Sequence, residues 1–286
     1  MPSHHELAVV VGVDGSPQGR AALEWAVDDA RQRGLGLHIL HARSTGAWWP
    51  PAGVIPDELS DAGGKLLRDH VRRAQELAPG LPVSTEYAGS GAAEALVRSS
   101  DRADTVVVGA RGLGQLRGAV LGSVSAQVTT HARCPVVVVR EPSVHRRGTV
   151  LVGVDGAASG AAAEYAFLQA AARLAPLTAV YAWWLDPVGG LEGFVPTEEV
   201  RASFLREADD AVSAVLAPWR EKYPDVPVRH EIVRAVPAEV LVERSTEAAL
   251  LVVGSRGRGG FSGLLLGSVS RRVLHQAHCP VTVVHS

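Results

Sequence analysis

The sequence predicts an α/β fold of two tandem doubly wound, Rossmann-like domains, each with a five-stranded parallel sheet and helices on both faces. Three observations lead to this prediction. Apolar runs of strand length alternate with segments of helical periodicity. The second half of the chain repeats the first, and one glycine-serine motif recurs with the same spacing in both halves. A length of 286 residues is sufficient for two ordinary domains.

In the first half, strand and helix patterns alternate along the chain. Leu7 to Val13 is a continuous apolar run, as in a strand buried on both faces, and Ala21 to Arg33 has apolar residues at helical spacing. Further strands are predicted at 37–42, 83–88, 105–108 and 135–139, and further helices at 62–77, 92–100 and 123–131. Crossover helices between parallel strands predict a ligand site at the carboxyl ends of the strands.

The second half is a duplication of the first. Val11 to Gly15 recurs as Val152 to Gly156, and Gly109 to Val139 recurs as Gly254 to Val284. Of the 33 aligned positions from Val107 to Val139, 19 are identical, which shared composition does not explain. The second set of predicted strands covers 149–154, 177–182, 229–233, 250–253 and 281–284. The polar segment 141–148 is the predicted linker, so the predicted domains are 1–142 and 143–286.

Composition argues against several classes of partner. A net charge of -2 and a pI near 6.6 do not favour broad affinity for nucleic acid or anionic membranes. Apolar stretches are shorter than the roughly 20 residues of a membrane helix, so a cytoplasmic protein is predicted. Cys134 and Cys279 do not form a CxxC pair, and each precedes a proline and a valine-rich run. They are interpreted as small buried residues at a strand entrance.

The most specific feature is a motif of three glycines followed by Ser-Val-Ser. Its first glycine ends a predicted strand and its last glycine opens a predicted helix, whose free amides and dipole suit a polyphosphate. The serine hydroxyls are predicted to donate further hydrogen bonds. The two copies consist of Gly109, Gly112, Gly122, Ser123, Val124 and Ser125, and of Gly254, Gly257, Gly267, Ser268, Val269 and Ser270.

The motif has other interpretations, from a simple turn with a helix cap to the better-known glycine loops. A turn and a helix cap would account for a single copy, and duplication preserves spacing passively. Two copies at the carboxyl edge of a parallel sheet nevertheless favour a phosphate site. A P-loop needs a lysine directly after its last glycine, but the only lysines are Lys65 and Lys222. The first strand ends in VGVDGS, so the GxGxxG dinucleotide fingerprint is absent too.

With these residues the chain resembles the universal stress protein family, specifically its ATP-binding branch, whose signature is G-x2-G-x9-G-(S/T). The resemblance covers nearly the whole chain in tandem form. It includes the aspartate of VGVDGS, the Leu-x-x-x-His-Ala second strand and the Cys-Pro-Val-x-Val-Val last strand. It implies the fold of the adenine nucleotide alpha hydrolase class and an ATP site in each half.

The resemblance also implies roles for individual residues. The loop after the first strand holds adenine and ribose, and the end of the second strand lines the base: Gly12, Val13, Asp14 and Ala42, then Gly153, Val154, Asp155 and Ala182. The motif receives ribose and phosphates: Val108, Gly109, Gly112, Gly122, Ser123 and Val124, then Val253, Gly254, Gly257, Gly267, Ser268 and Val269. Arg111 and Arg256 lie inside the motif and are predicted to neutralise phosphate charge.

The aspartates belong at the nucleoside end, because a carboxylate accepts hydrogen bonds from a hydroxyl or amine but repels phosphate. An Asx-turn at the strand-helix junction is the alternative role for Asp14 and Asp155. The copies differ where Ser16 is matched by Ala157. In the second half, Ser159 is expected to cap the first helix instead.

Two further patterns receive structural interpretations. His38 and His41 are three residues apart on a strand, so they point to opposite faces and no metal site is predicted. Trp48-Trp49 and Trp183-Trp184 follow the second strand of each half, where they cover the nucleotide cleft, contact a partner or simply pack a loop.

The predicted function is an ATP-binding regulator of a stress or dormancy response, with Mg2+ carried by the nucleotide and at most slow hydrolysis. The alternatives are a genuine ATPase or nucleotidyl transferase, and an interaction module with empty sites. No catalytic residue is assigned. The two last strands are expected at sheet edges, where the halves pair as a pseudo-dimer about a twofold axis, or where tandem chains form a homodimer.

Overall fold

The computed structural model describes residues 7–42, 57–112, 121–140, 148–184, 197–257 and 266–285, with side chains of the second helix described from residue 62. The chain divides into two compact units, 1–144 and 145–286. Except for Gly148, the predicted linker lies outside the described residues, as do Trp48 and Trp49.

The first unit is a doubly wound parallel sheet. In chain order its elements are β1 (Ala8–Gly12), α1 (Pro17–Arg33), β2 (Gly36–Ala42), α2 (Asp57–Leu77), β3 (Val83–Ala88), α3 (Ala92–Ser99), β4 (Ala103–Gly109), α4 (Ser123–His131) and β5 (Val136–Val139). The strand order is β3-β2-β1-β4-β5, with parallel pairing throughout. Helices α1 and α2 pack together on one face, and α3 and α4 on the other. The predicted fold class is confirmed.

The second unit repeats this architecture. Its elements are β6 (Thr149–Gly153), a 3-10 turn (Ala157–Ser159), α5 (Gly160–Arg173), β7 (Leu177–Trp183), α6 (Glu198–Lys222), β8 (Val228–Arg234), α7 (Pro237–Arg244), β9 (Ala248–Gly254), α8 (Ser268–Gln276) and β10 (Val281–Val284). The strand order is β8-β7-β6-β9-β10, again parallel. In each unit, the strand that comes last in the sequence, β5 or β10, is also the last in that unit's strand order.

Helix α1 begins four residues before its predicted start. Ser16 is the N-cap, and its Oγ accepts a hydrogen bond from Gly19 N at 3.0 Å. Pro17 occupies the first helical position, where its missing N–H costs nothing. A Ser-Pro pair is a recognised start signal for a helix. The prediction rested on apolar periodicity, which begins only at residue 21, and therefore placed the start too late. Within the described ranges, no helix is long and apolar enough to cross a membrane.

A buried ion-pair network ties α1 to β4 in the first unit. Arg33, with a side chain only 7% exposed, pairs with the fully buried Asp29 at 3.2 Å and with Asp104 at 2.6 Å. Thr105 Oγ1 donates to Asp104 Oδ1 at 2.8 Å. The second unit has the neutral Gln169 at the place of Asp29, and Arg173, at the place of Arg33, donates to its Oε1.

The Cys134 thiol is buried directly before β5. Burial raises its pKa from the usual 9.0 to about 12. At neutral pH the side chain is therefore a small apolar group, as the sequence interpretation expects, and its thiolate is scarcely populated.

Replacement of the buried guanidinium tests the ion-pair network. We expect Arg33→Met to lower the free energy of unfolding of the first unit by about 3 kcal/mol, because two carboxylates lose their counter-charge. Urea denaturation followed by tryptophan fluorescence measures the change. Arg31→Met, which removes an exposed pair with Asp28, is the matched control with an expected loss under about 1 kcal/mol. Equal losses in both variants would contradict a special role for Arg33.

The raised pKa of Cys134 predicts a pH dependence. Its contribution to stability is complete below pH 9 and is lost as the pH rises toward 12, since the unfolded thiol ionises first. We expect a Cys134→Ala variant to lose less stability than the wild type over this interval, as measured by urea denaturation at stepped pH. Parallel curves would show that the thiol does not titrate differently in the folded chain.

Candidate functional site

The predicted site residues converge because β1 and β4 are neighbours in the sheet. Their parallel pairing brings both carboxyl ends to one edge, so the loop after Gly12 faces the loop after Gly109. Strands β6 and β9 do the same for the loops after Gly153 and Gly254. Each unit thus brings its aspartate and its glycine motif together, although they are distant in sequence.

The Asp14 carboxylate joins the two loops of the first unit. Its Oδ1 accepts a hydrogen bond from Ser16 N at 2.9 Å, which is an Asx-turn. Its Oδ2 lies so close to Gly112 that a Cβ at that glycine would overlap it. The next residue, Gly15, has a φ of +82°, a conformation that favours glycine. The Asx-turn therefore uses one oxygen and leaves the other directed at the motif.

Asp155 reaches the same position by a different local arrangement. Its N–H donates to Ser159 Oγ at 2.9 Å, and that hydroxyl donates to Asp155 Oδ1 at 2.6 Å. Asp155 Oδ2 again lies where a Cβ of Gly257 would be. The expectation that the Ser159 side chain caps the helix is wrong. The 3-10 turn before α5 directs its hydroxyl to the aspartate, and no side chain caps that helix.

A backbone hydrogen bond connects the two ends of each motif. Gly122 N donates to Ala110 O at 2.8 Å, and Gly267 N donates to Ser255 O at 2.8 Å. These two glycines directly precede α4 and α8 and are their N-caps. Neither helix start has a capping hydrogen bond from a side chain. The first turns of these helices consequently open toward the edge that carries the aspartate.

The serines of the motif divide into two roles. Ser125 Oγ donates to Gly109 O at 2.6 Å, while Ser270 Oγ lies 3.1 Å from Ser255 O and 3.0 Å from Gly267 O. Both are buried. Since a hydroxyl has one hydrogen, the prediction that these two serines donate to phosphate is replaced by a structural role. Ser123 and Ser268 are exposed in the first helical turns.

The strand-end glycines have different neighbours in the two units. A Cβ at Gly109 would lie 2.8 Å from the carbonyl carbon of Gln18 in the first turn of α1. At Gly254 the nearest atom is Arg256 O, in the following loop, at 3.1 Å. The sequence predicts a sharp turn and access for a ligand at both glycines. At Gly109, the close approach of α1 is a further reason for the missing side chain.

Gly12 and Gly153 lie against leucines of the helices on the other face of the sheet, Leu96 of α3 and Leu241 of α7. The Cβ positions lie 2.9 Å from Leu96 Cδ1 and 3.0 Å from Leu241 Cδ1, respectively. These leucines are nearly inaccessible to solvent. The glycines therefore let α3 and α7 approach the sheet just below the site.

The remaining predicted residues frame this edge. Val13 N donates to Leu40 O, and Val154 N to Val180 O, each at 2.9 Å, so both loops extend the pairing with the second strand. The valines near the end of the fourth strand of each unit are buried, namely Val108 and Val253. Half-buried are the helix-start valines Val124 and Val269, the alanines Ala42 and Ala182 near the end of the second strand of each unit, and Arg111. Arg256 is exposed.

His41 is a site residue that sequence reasoning missed. Its Nδ1 donates to Val13 O at 2.7 Å, which ties the end of β2 to the loop carrying Asp14. Tyr181 stands at the corresponding place in β7. His38 instead contacts Ser84 Oγ at 2.9 Å, on the neighbouring strand β3. In the described ranges no three His, Cys, Asp or Glu residues form a metal-binding group.

Trp183 is the last residue of β7, one residue later than the predicted strand end. Its ring lies 4.7 Å from that of Phe204 in α6 and 5.6 Å from the Arg234 guanidinium in β8, measured to the ring centroid. Trp184 is half exposed. The contacts of Trp183 are therefore packing of the strand against its neighbouring helix and strand.

Comparisons with known proteins agree with this architecture. The universal stress protein family matches twice, at residues 8–140 and 146–285. A universal stress protein of Mycobacterium tuberculosis is 39% identical over 290 residues, covering 96% of each chain. One from Mycolicibacterium smegmatis is 38% identical over 294 residues, covering 98% of this chain and 97% of its own.

A solved structure shares the fold. The universal stress protein from Archaeoglobus fulgidus DSM 4304 superposes with a TM-score of 0.72 over 97% of this chain and 98% of its own. The sequences are 19% identical, so this likeness concerns the fold.

The contact of Gly109 with α1 predicts unequal effects of one substitution in the two units. We expect Gly109→Ala to lower the free energy of unfolding by about 1–3 kcal/mol, because a Cβ would press against the Gln18 backbone. Gly254→Ala is the matched variant and should cost less, since it approaches one carbonyl oxygen at 3.1 Å. Thermal and urea unfolding measure both, and a larger loss at Gly254 would contradict the assignment.

Proposed function

The chain belongs to the universal stress protein family, and from this premise we propose that it is a regulator that binds ATP at the carboxyl edge of each unit. The observation that carries the proposal is the same in both units: an aspartate oxygen lies against the second glycine of the motif, and the last glycine of the motif opens a helix. Asp14 Oδ2 adjoins Gly112 and Asp155 Oδ2 adjoins Gly257. In both units the motif then leads into an N-terminus without a capping side chain.

The charges at this edge support one orientation of the nucleotide. The first turns of α4 and α8 carry the positive ends of their helix dipoles, which stabilise phosphate oxygens. The exposed hydroxyls of Ser123 and Ser268 add donors there. A carboxylate repels phosphate but accepts hydrogen bonds from ribose hydroxyls, so Asp14 and Asp155 belong with the nucleoside. The nucleotide would bring its Mg2+ with it.

The N-cap glycines support close approach of a phosphate. Their φ values of -66° and -71° are open to every residue type, so backbone conformation does not demand glycine. At Gly267 a Cβ would have ordinary contacts, the nearest at 3.5 Å from Ser255 O, whereas at Gly122 it would lie closer, 3.3 Å from Ala110 O. Serine, threonine or aspartate would cap these helices better than glycine. Access for a ligand is a reason to keep this position free of a side chain.

The two sites differ in how their aspartates are held, which supports unequal affinities. The Ser16 hydroxyl caps α1, and only its amide contacts Asp14. The Ser159 hydroxyl donates to Asp155 Oδ1, whereas Asp14 Oδ1 accepts from the backbone amide of Ser16. We therefore expect the two units to differ in affinity for ATP, and we assign a regulatory output to the difference between partly and fully loaded protein.

Nucleotide content and affinity test the proposal directly. Acid extraction of the purified protein, followed by ion-exchange chromatography, is expected to release ATP or ADP. Titration calorimetry of nucleotide-free protein with Mg-ATP should then report two sites of different affinity. Finding neither bound nucleotide nor binding heat would overturn the proposal. Turnover approaching the roughly 1 to 1,000 per second of ordinary enzymes would favour an ATPase instead.

Valine at the N-cap glycines tests the phosphate end. We expect Gly122→Val with Gly267→Val to weaken ATP binding more than about tenfold, because a branched side chain excludes the phosphate from the helix start. Gly267→Val alone should remove one of two sites. The control is Gly89→Val, where a Cβ meets no atom within 4 Å. Unchanged affinity of the folded double variant, checked by circular dichroism, would mean that the site is misassigned.

A further inference from the structure

A second cleft lies in the first unit, away from the carboxyl-edge loops, between helix α2 and the outer strand β3. Its volume is about 380 Å³, within the range of small-molecule sites. Leu67 and Val71 of α2 give it an apolar wall. Arg68, Arg72 and Gln75 of the same helix, with Thr85 of β3, supply its polar groups. The cleft thus combines apolar surface with hydrogen-bond donors.

The charge of this lining is cationic. None of the described side chains that line the cleft is acidic. Within residues 62–112, Arg68 makes no ion pair, whereas Arg72 pairs with Asp69 at 2.8 Å and with Glu76 at 3.9 Å, both on the same helix. All three side chains are about half exposed or more, so these pairs contribute little and are easily exchanged for another anion. Two guanidinium groups are therefore available to one ligand.

Gly64 keeps the cleft open. Glycine inside a helix costs roughly 0.5–1 kcal/mol relative to alanine, and α2 has two in succession. Gly63 has a packing reason, because its Cβ would lie 2.5 Å from Tyr87 Cε2. Among the described side chains, the nearest neighbour at Gly64 is the flexible Arg68 guanidinium, 3.2 Å from the Cβ position. No rigid group in the described part of the chain requires glycine there, and the missing side chain leaves the cleft open.

The second unit closes the same place. Helix α6 and strand β8 align with α2 and β3 through Pro227 and Pro82, whose carbonyls both accept from the start of the second strand. In this alignment Gly64 becomes Asp209 and Thr85 becomes His230, and these two side chains pair at 2.7 Å. The two arginines become Ser213 and Ala217, and Gln75 becomes Arg220. One copy therefore has an open cleft with two arginines, whereas the other fills it with the pair of Asp209 and His230 and has one arginine at the aligned positions.

We propose that the cleft of the first unit binds a small organic anion, in which a carboxylate, sulfonate or phosphate group is joined to an apolar body. The guanidinium groups of Arg68 and Arg72 bind the anionic group, and Gln75 and Thr85 donate further hydrogen bonds. The apolar body lies on Leu67 and Val71. This site is separate from the nucleotide sites and does not depend on them.

Fluorescence of 8-anilinonaphthalene-1-sulfonate, an anion with an apolar body, tests the proposal in the full chain with saturating Mg-ATP present. One site per chain is expected. Arg68→Gln with Arg72→Gln should weaken its binding at least about tenfold while leaving unchanged the affinity of the neutral analogue N-phenyl-1-naphthylamine. Arg206→Gln, the same change at an exposed position of α6, is the matched control and should have no effect.

A second variant distinguishes loss of charge from loss of space. Gly64→Asp with Thr85→His introduces the pair of the second unit and should abolish binding of both probes, with circular dichroism and the melting temperature reporting the fold. Sulfonate binding that is unchanged in both variants, or that disappears when Mg-ATP is added to the wild type, would overturn the proposal. The latter result would assign the probe to the nucleotide sites.

Discussion

The contact between the first-loop aspartate and the second motif glycine is the constraint on which the candidate site depends. It exists because β1 pairs with β4, and β6 with β9, so that their carboxyl ends share one edge. A side chain at Gly112 or Gly257 would occupy the position of an aspartate oxygen. The backbone bond from the N-cap glycine to the residue after the strand then fixes where the helix starts relative to that carboxylate. Loop, strand end and helix start are thereby held as one unit.

The duplication separates what the fold requires from what each copy has changed. Several contacts that use backbone atoms recur in both units. Ser100 Oγ accepts from Arg133 N, and Ser245 Oγ from His278 N, each at 2.9 Å. Contacts between side chains have diverged: the first unit alone has the Arg33 network, while the second alone has the pair of Asp209 and His230. Backbone positions are set by the common architecture, whereas side-chain contacts are replaced without moving it.

These differences give the two units different chemistry on one scaffold. The aspartates are held by different hydrogen bonds, and the α2 surface of the first unit carries a cleft that the second has filled. A tandem chain allows such divergence, because one copy keeps a property while the other loses it. The two proposed nucleotide sites, together with the proposed anion site on one unit, would let one polypeptide respond to more than one ligand.

The sequence by itself determined the fold class, the duplication, the order of the elements and the sheet edge that carries the candidate site. Periodicity and glycine spacing are local properties, so they can be read along the chain. Tertiary structure alone decided what each residue of the motif contacts. Ser125 and Ser123 are two residues apart in one Ser-Val-Ser run, yet one is buried against Gly109 O and the other is exposed. Gly109 meets the backbone of α1, His41 reaches Val13 O, and Gly64 opens a cleft toward β3. Such contacts join residues that are distant in sequence, and they depend on how helices approach the sheet, which no local pattern specifies.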